Sequence, residues 1–494
     1  MSIVFLVVVA VSLPTLGRYG YFSDELYLIA SGRHLSWGYV DQQPLVPALA
    51  WLADTLFPGS LFALRLVSPL ALAAGAVVTA QITRELGGAA AAQIVSAVAY
   101  FAAFVSTGQL LDTGTLDMVS WTVVTWLVVR WVRLRGRGPY GPAGDDRPLL
   151  WAGVVTAVAL QVKLLIPMLW AFLLVSALAV GPRDLPRSRM LWLGGAVAVV
   201  SAVPGLAWQA AHGWPALAFA EVVAQEEALF GRRGVGFVVW VLLLGGVVAG
   251  TLLLCYGLWR LLAAKDLRAY RFLGLAALGV ILFVGLTGGR FYHVVGVFPI
   301  AWAAGAVRLE ALAARRRWWW WVSWPLLAAS AALGVMGLPL TPASDVRQPT
   351  EEQMSDLAVA TTISQFGWPE LADSVARAHR ALPEPVRRDT VLLAETYWQA
   401  GALEVYRAGR GLPAVYSGSR GYWYFGAPPE SATAALYVGD DPGPLRGRFG
   451  QVRKVGAVEG RVGLEIGTPI WLCEGRTEPW SSLWPRLRRL EVAE

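Results

Sequence analysis

Apolar stretches close to a membrane-crossing length recur along residues 1–340, and arginines bound most of them. Residues 61–83 read LFALRLVSPLALAAGAVVTAQIT, and residues 237–259 read FVVWVLLLGGVVAGTLLLCYGLW. A hydrocarbon core of about 30 Å takes about 20 mostly apolar residues as a helix, because a helix satisfies all its own backbone groups where no water is present. A chain with many such stretches folds around a bilayer. The composition agrees, with 56% hydrophobic and 15% charged residues in 494, against roughly 25% charged in soluble domains. The net charge of +7 gathers between the apolar stretches, so it orients the chain and is not a nucleic-acid signal.

Basic connections lie at Arg84, 130–147, 181–189, 260–271 and 308–317, and the positive-inside rule puts them on the cytoplasmic side. Segments 85–130, 148–181, 190–260 and 272–308 then become hairpins whose midpoints reach the opposite face. Residues 2–17 lack a basic region before their apolar core and read as a short first span rather than a signal peptide. A second span at about 61–83 and a last at about 318–340, entered through RRRWWWWVSW, bring the total to about eleven. The expected fold is therefore a polytopic α-helical membrane protein.

Topology leaves few polar residues in or beside the spans, and they share one face. Asp24, Glu25, Asp41, Asp112, Asp117, Lys163 and Arg290 all fall at outer ends of spans. Ionisable groups there are costly and often functional. Residues 341–494 contain no spanning run. Strands are expected within 390–397, 412–418 and 432–440, and a helix over 369–382, where Leu371, Val375 and Leu382 recur at helical spacing. This makes a small extracytoplasmic α/β domain at 341–494, after a transmembrane module at 1–340 whose first outer loop spans 18–60. Cys255 lies in an apolar run and Cys473 near the C-terminus, an arrangement that does not suggest a disulfide. No P-loop, metal-ligand spacing or Ser/His/Asp set is evident, so neither a metal nor a cofactor is expected.

The run from Tyr21 to Gly88 resembles the first outer loop and second span of a known family. The motifs that carry the likeness are DEL at 24–26, GRHLSWGYVDQQPL at 32–45 and LFALRL at 61–66. Further matches follow in order: LDMVSW at 116–121, ALQVKLLIPML at 159–169 and GRFYHVVGVFPIAWAAGA at 289–306. The family is the bacterial, polyprenyl-phosphate-sugar-dependent branch of the dolichyl-phosphate-mannose protein mannosyltransferase superfamily, with the GT-C fold. The likeness covers residues 1 to about 340 well and the remainder more loosely. One departure is DQQP at 41–44, where a second proline is expected.

The resemblance implies an integral-membrane glycosyltransferase acting at the extracytoplasmic face. Its donor is a sugar on polyprenyl phosphate, and its acceptor is a hydroxyl of a protein, lipid or polysaccharide. It also implies that Asp24 is the catalytic carboxylate. The chemistry needs a base for the acceptor proton and fixed positive charge for the leaving phosphate, and Lys163 with Arg290 can supply the latter. Ser23 reads as an N-cap with Asp24 and Glu25 in the first helical turn, where negative charge is favourable. Glu25 is the second, weaker catalytic candidate; it points elsewhere around the helix and is otherwise expected to hold an arginine or orient the acceptor.

Other candidates keep two readings. His34, beside Arg33 and Asp41, reads as a sugar or phosphate contact and equally as a packed residue. Asp117 reads as a helix cap or a ligand for sugar hydroxyls. Tyr292 and His293 read as interfacial anchors or as the lining of a phosphate pocket. Glu221, Glu226 and Glu227 read as solvated surface. A transporter or flippase of a lipid-linked substrate is the alternative function, but inverted repeats of the kind many transporters carry are not evident.

Overall fold

Helices occupy the stretches read as spans. The protein, seen as a computed structural model, is described for residues 2–135 and 145–491, and part of the basic connection 130–147 lies outside them. Among the described residues five helices are long and apolar enough to cross a membrane: Leu61–Glu85, Arg189–Ala211, Arg268–Thr287, Phe291–Arg315 and Trp318–Met336. Val235–Leu243 and Val247–Ala263 form a sixth candidate, bent by 111°. Shorter apolar helices include Ala90–Phe104, Arg147–Leu160 and Ile166–Val180. The chain divides into two units, one of residues 1–16, 42–45 and 65–340, the other of 17–41, 46–64 and 341–494.

The first unit sorts its apolar side chains by environment. Trp121, Trp131 and Trp302 are fully buried, while Trp321 and Leu286 are 81% and 80% exposed. Such exposure of large apolar groups suits lipid rather than water. Where helices cross closely, glycine makes the approach possible: a Cβ on Gly153 would lie 2.2 Å from Gly194 Cα, and one on Gly257 only 1.8 Å from the Ala301 carbonyl oxygen. The bend at Gly246 frees backbone carbonyls. The buried Trp302 indole donates to Gly245 O at 3.0 Å and Gly250 O at 2.9 Å, so the break is filled by a side chain. Arg130 and Arg133 both pair with Glu85, at 3.1 and 2.8 Å.

The second unit holds a five-stranded mixed sheet in the order β2-β1-β3-β5-β4. Its strands are β1 Thr390–Ala394, β2 Val415–Ser417, β3 Ala434–Val438, β4 Phe449–Ala457 and β5 Pro469–Arg476. β1 is parallel to β2 and β3, whereas β5 is antiparallel to β3 and β4. Every residue of β1 and β3 is buried, as expected of strands covered on both faces. Trp368–Arg380 forms the helix anticipated at 369–382. Both cysteines are free, Cys473 buried in the sheet.

The boundary between the units falls at 340/341, and part of the first loop lies across it in sequence. The first loop, with its helix Ser23–Arg33, groups with residues 341–494. That helix lies against helix Tyr397–Tyr406, so close that a Cβ on Gly401 would come within 2.9 Å of the Leu26 backbone. The helix at Leu45–Leu56 was not anticipated.

Candidate active site

In the second unit the acidic pair divides its roles. Phe22, not Ser23, is the N-cap of helix Ser23–Arg33. This corrects the expected start by one residue. Glu25 is fully buried, and its carboxylate accepts the Phe22 N–H at 2.8 Å. That contact satisfies a backbone donor the helix leaves open, the reciprocal half of a capping box. Asp24, half-buried, accepts at Oδ1 the hydroxyl hydrogen of Tyr397 at 2.8 Å.

Around Asp24 lies a network of buried polar aromatics. Arg420 Nη1 donates to Tyr397 Oη at 3.3 Å, with its guanidinium 4.9 Å from the Tyr397 ring centroid. The Tyr27 ring meets that of Tyr397 edge-on at 4.8 Å, and its hydroxyl donates to Asp41 Oδ1 at 2.9 Å. Burial pushes the Asp41 carboxyl above its ordinary range, and the Arg420 charge opposes that rise. Burial, reinforced by the neighbouring carboxylates, holds the phenols of Tyr27 and Tyr397 well above the ordinary value. Both therefore stay protonated and act as hydrogen-bond donors.

His34 and Arg33 have partners of their own. The His34 ring stacks on Phe425 at 4.5 Å and 6° and approaches Glu404 at 3.4 Å. Arg33 pairs with Asp54 at 2.9 Å and donates to the Glu404 carbonyl at 3.2 Å. Burial raises the Glu404 carboxyl, but hydrogen bonds from His34 and Tyr422 outweigh it and leave a net depression. These contacts supply His34 with a packed role.

The first unit gathers positive charge around one tyrosine. Lys163, in the turn between helices Arg147–Leu160 and Ile166–Val180, places Nζ 5.1 Å from the Tyr292 ring centroid. Arg290 puts its guanidinium 5.9 Å from the same centroid and donates from Nη1 to the Tyr292 hydroxyl at 2.8 Å. His293 meets Tyr292 edge-on at 4.9 Å. The motif segment 42–45 reaches this turn, for Leu45 N–H donates to Gln161 O at 2.9 Å.

Two expectations change in this unit. Glu226 and Glu227 are not solvated surface: Glu226 pairs with Arg290 at 3.2 Å and Glu227 with Arg232 at 3.6 Å, because helix Pro215–Leu229 turns them inward. Glu221 is exposed as expected. The cap at the start of helix Thr113–Arg135 is Asp112, which accepts the Thr115 N–H at 2.7 Å. Asp117 sits inside that helix, buried, taking the Trp121 indole N–H at 3.0 Å. Among the described residues no three His, Cys, Asp or Glu side chains gather as a metal-ligand set.

Tyr397 and Arg420 carry no signal in the sequence, and Glu226 reads there only as solvated surface. Tyr397 and Arg420 stand just beyond the carboxyl ends of β1 and β2, the edge of a parallel sheet where ligands collect. That position shows only once the strands are placed.

Residues 41–208 match the model of the family described as dolichyl-phosphate-mannose-protein mannosyltransferase. No curated protein sequence matches the chain. Among solved structures, ArnT from Cupriavidus metallidurans bound to undecaprenyl phosphate aligns at 15% identity over 95% of this chain and 97% of that one, with a TM-score of 0.58. The apo state of the same protein aligns at 14% identity over the same shares, with a TM-score of 0.59. At such identities the structural likeness establishes the fold. That fold and the membrane-length helices make this a multi-pass membrane protein.

Proposed function

We propose that this chain is a glycosyltransferase of the GT-C fold that moves a sugar from a polyprenyl-phosphate donor to a hydroxyl acceptor at the extracytoplasmic face. The observation that carries this reading is the pairing of Lys163 and Arg290 around Tyr292. Two cations on one aromatic ring, in a unit built largely of apolar helices, suit an anionic lipid head group. The undecaprenyl phosphate bound to ArnT supports the same class of donor.

In the reaction the acceptor oxygen attacks the anomeric carbon. The bond from that carbon to the phosphate oxygen breaks, and polyprenyl phosphate leaves with the electron pair. Asp24 takes the acceptor proton. Lys163 and Arg290 offset the negative charge that builds on the phosphate, a role that in other enzymes falls to a divalent ion. Tyr292 holds Arg290 in place, with His293 beside it, and Asp117 is assigned to donor hydroxyls. Residues 1–340 form the GT-C module with about eleven spans, and 341–494 the extracytoplasmic domain.

The bent helix pair is a feature shared with transporters, which expose broken-helix carbonyls to substrate. Here the Trp302 indole occupies those carbonyls, which favours the transferase. The test is to incubate the purified protein in vesicles with a panel of radiolabelled polyprenyl-phosphate sugars and a cell-envelope acceptor fraction. Transfer should occur from one donor and persist in excess chelator. Donor carried across the bilayer without glycosidic transfer would overturn the reading.

A further inference from the structure

Arg420 is held in a conformation that a chain rarely adopts without cause. Its φ is +47°, in the left-handed region that side chains with a Cβ avoid, and such outliers cluster at functional sites. Two backbone bonds fix it, from Arg420 N–H to Arg489 O at 2.7 Å and from Arg489 N–H to Gly418 O at 2.8 Å. The side chain is only 6% exposed. A buried guanidinium is unfavourable unless its charge and donors are used. Here Nε donates to Leu490 O at 3.3 Å and Nη1 to Tyr397 Oη at 3.3 Å.

The Tyr397 hydroxyl is thereby directed. Its oxygen receives the Arg420 donor, and its single hydrogen goes to Asp24 Oδ1. The Tyr27 ring bounds one side, and Tyr27 in turn is held by Asp41. Gly421 leaves room for this, since a Cβ there would stand 2.0 Å from the Tyr27 hydroxyl.

We infer that Arg420 and Tyr397 are positioning residues for the transfer: a relay from the strained loop after β2, through the phenol, that fixes Asp24 Oδ1 and presents Oδ2 to the acceptor hydroxyl. The inference rests on the reading of Asp24 as the base. It makes residues 341–494 a working part of the reaction, with Tyr397 and Arg420 acting through Asp24 rather than on the donor.

The test uses the full chain and whichever donor of the labelled panel the parent turns over. Tyr397→Phe keeps the ring and removes one oxygen. It should lower kcat roughly 10- to 100-fold, as expected for loss of a hydrogen bond to a charged group, with donor KM within twofold of the parent. Arg420→Gln should do the same, and Arg420→Lys should recover part of the loss. A second measurement needs no turnover and also covers a poorly folding Arg420 variant: carbodiimide labelling of Asp24, read by peptide mass spectrometry, should rise several-fold in Tyr397→Phe while that of Asp54 is unchanged. Parent-like kcat in Tyr397→Phe, or unchanged Asp24 labelling, overturns the inference. If Asp24→Asn itself transfers normally, it is the assignment of the base that fails.

Discussion

Asp24 accepts its 2.8 Å hydrogen bond from a residue 373 positions further along the chain, Tyr397. The neighbouring Glu25 spends its carboxylate on the backbone of its own helix. Two adjacent acids thus stand in different circumstances, one turned to a side-chain network and one closed into a cap.

That division predicts opposite phenotypes. Asp24→Asn should fold like the parent and lose about 10²- to 10⁴-fold in single-turnover transfer, the usual worth of a general base. Glu25→Gln retains an acceptor for the Phe22 N–H and should transfer at near-parent rates. Glu25→Ala should instead lower thermal stability by about 1 kcal/mol, as lost caps do. A transfer defect in Glu25→Gln equal to that of Asp24→Asn would reverse the assignment.

Replacing Lys163 by Met or Arg290 by Leu should raise donor KM roughly 10- to 100-fold, the range for charge-assisted hydrogen bonds, with little change in melting temperature. The measurement is initial rate against donor concentration. Normal turnover at limiting donor would dissociate these cations from the phosphate.

Glu226 pairs with Arg290 at 3.2 Å, so a donor phosphate that engages Arg290 has to displace it. Both side chains keep some access to solvent, with exposures of 26% and 15%, and ion pairs of that kind are typically worth about 0.2–1 kcal/mol. Glu226→Gln should therefore lower donor KM by up to about 5-fold. An increase would mean that Glu226 orients Arg290 for the donor instead of restraining it.

Acid stability should bear the mark of Glu404. Its carboxyl is held below the ordinary value in the folded chain, while in the unfolded chain it titrates near about 4.3. Its contribution is complete above that pH and is lost as pH falls through the lower, folded value. In thermal melts across that window, Glu404→Gln should flatten the acid limb. An acid limb identical to the parent's would show that the depression contributes nothing.

Single cysteines at Leu35 and Arg388, which are 50% and, by side chain, 75% exposed, test sidedness in a background without Cys255 and Cys473. Both should react with a membrane-impermeant thiol reagent in intact cells. Labelling at one position alone would break the parity of about eleven spans.

The parts of this architecture that announce themselves in sequence are those whose environment is uniform. β1 and β3 are buried along their whole length and read as unbroken apolar runs. β4, an edge strand in which only Phe449 is buried and Arg453 and Lys454 are both exposed, does not, and charged edges are how sheets avoid further pairing. Asp24 was legible because a motif surrounds it. Tyr397 and Arg420 were not, because each matters through a partner brought near by the sheet. Glu226 and Glu227 were read as solvated because composition does not reveal which way a helix turns its carboxylates.

The alliance between the first loop and the last third of the chain has a consequence for biogenesis. Helix Ser23–Arg33 keeps Leu26, Tyr27, Leu28 and Ile29 buried, with helix Tyr397–Tyr406 as a close partner. A ribosome adding roughly 5–20 residues per second reaches Tyr397 about 20 to 75 s after Asp24. Through that interval the loop has no finished surface to rest against. An early polar element is thus among the last to settle, and a nascent chain released near residue 340 would leave it permanently uncovered, a ready substrate for proteases.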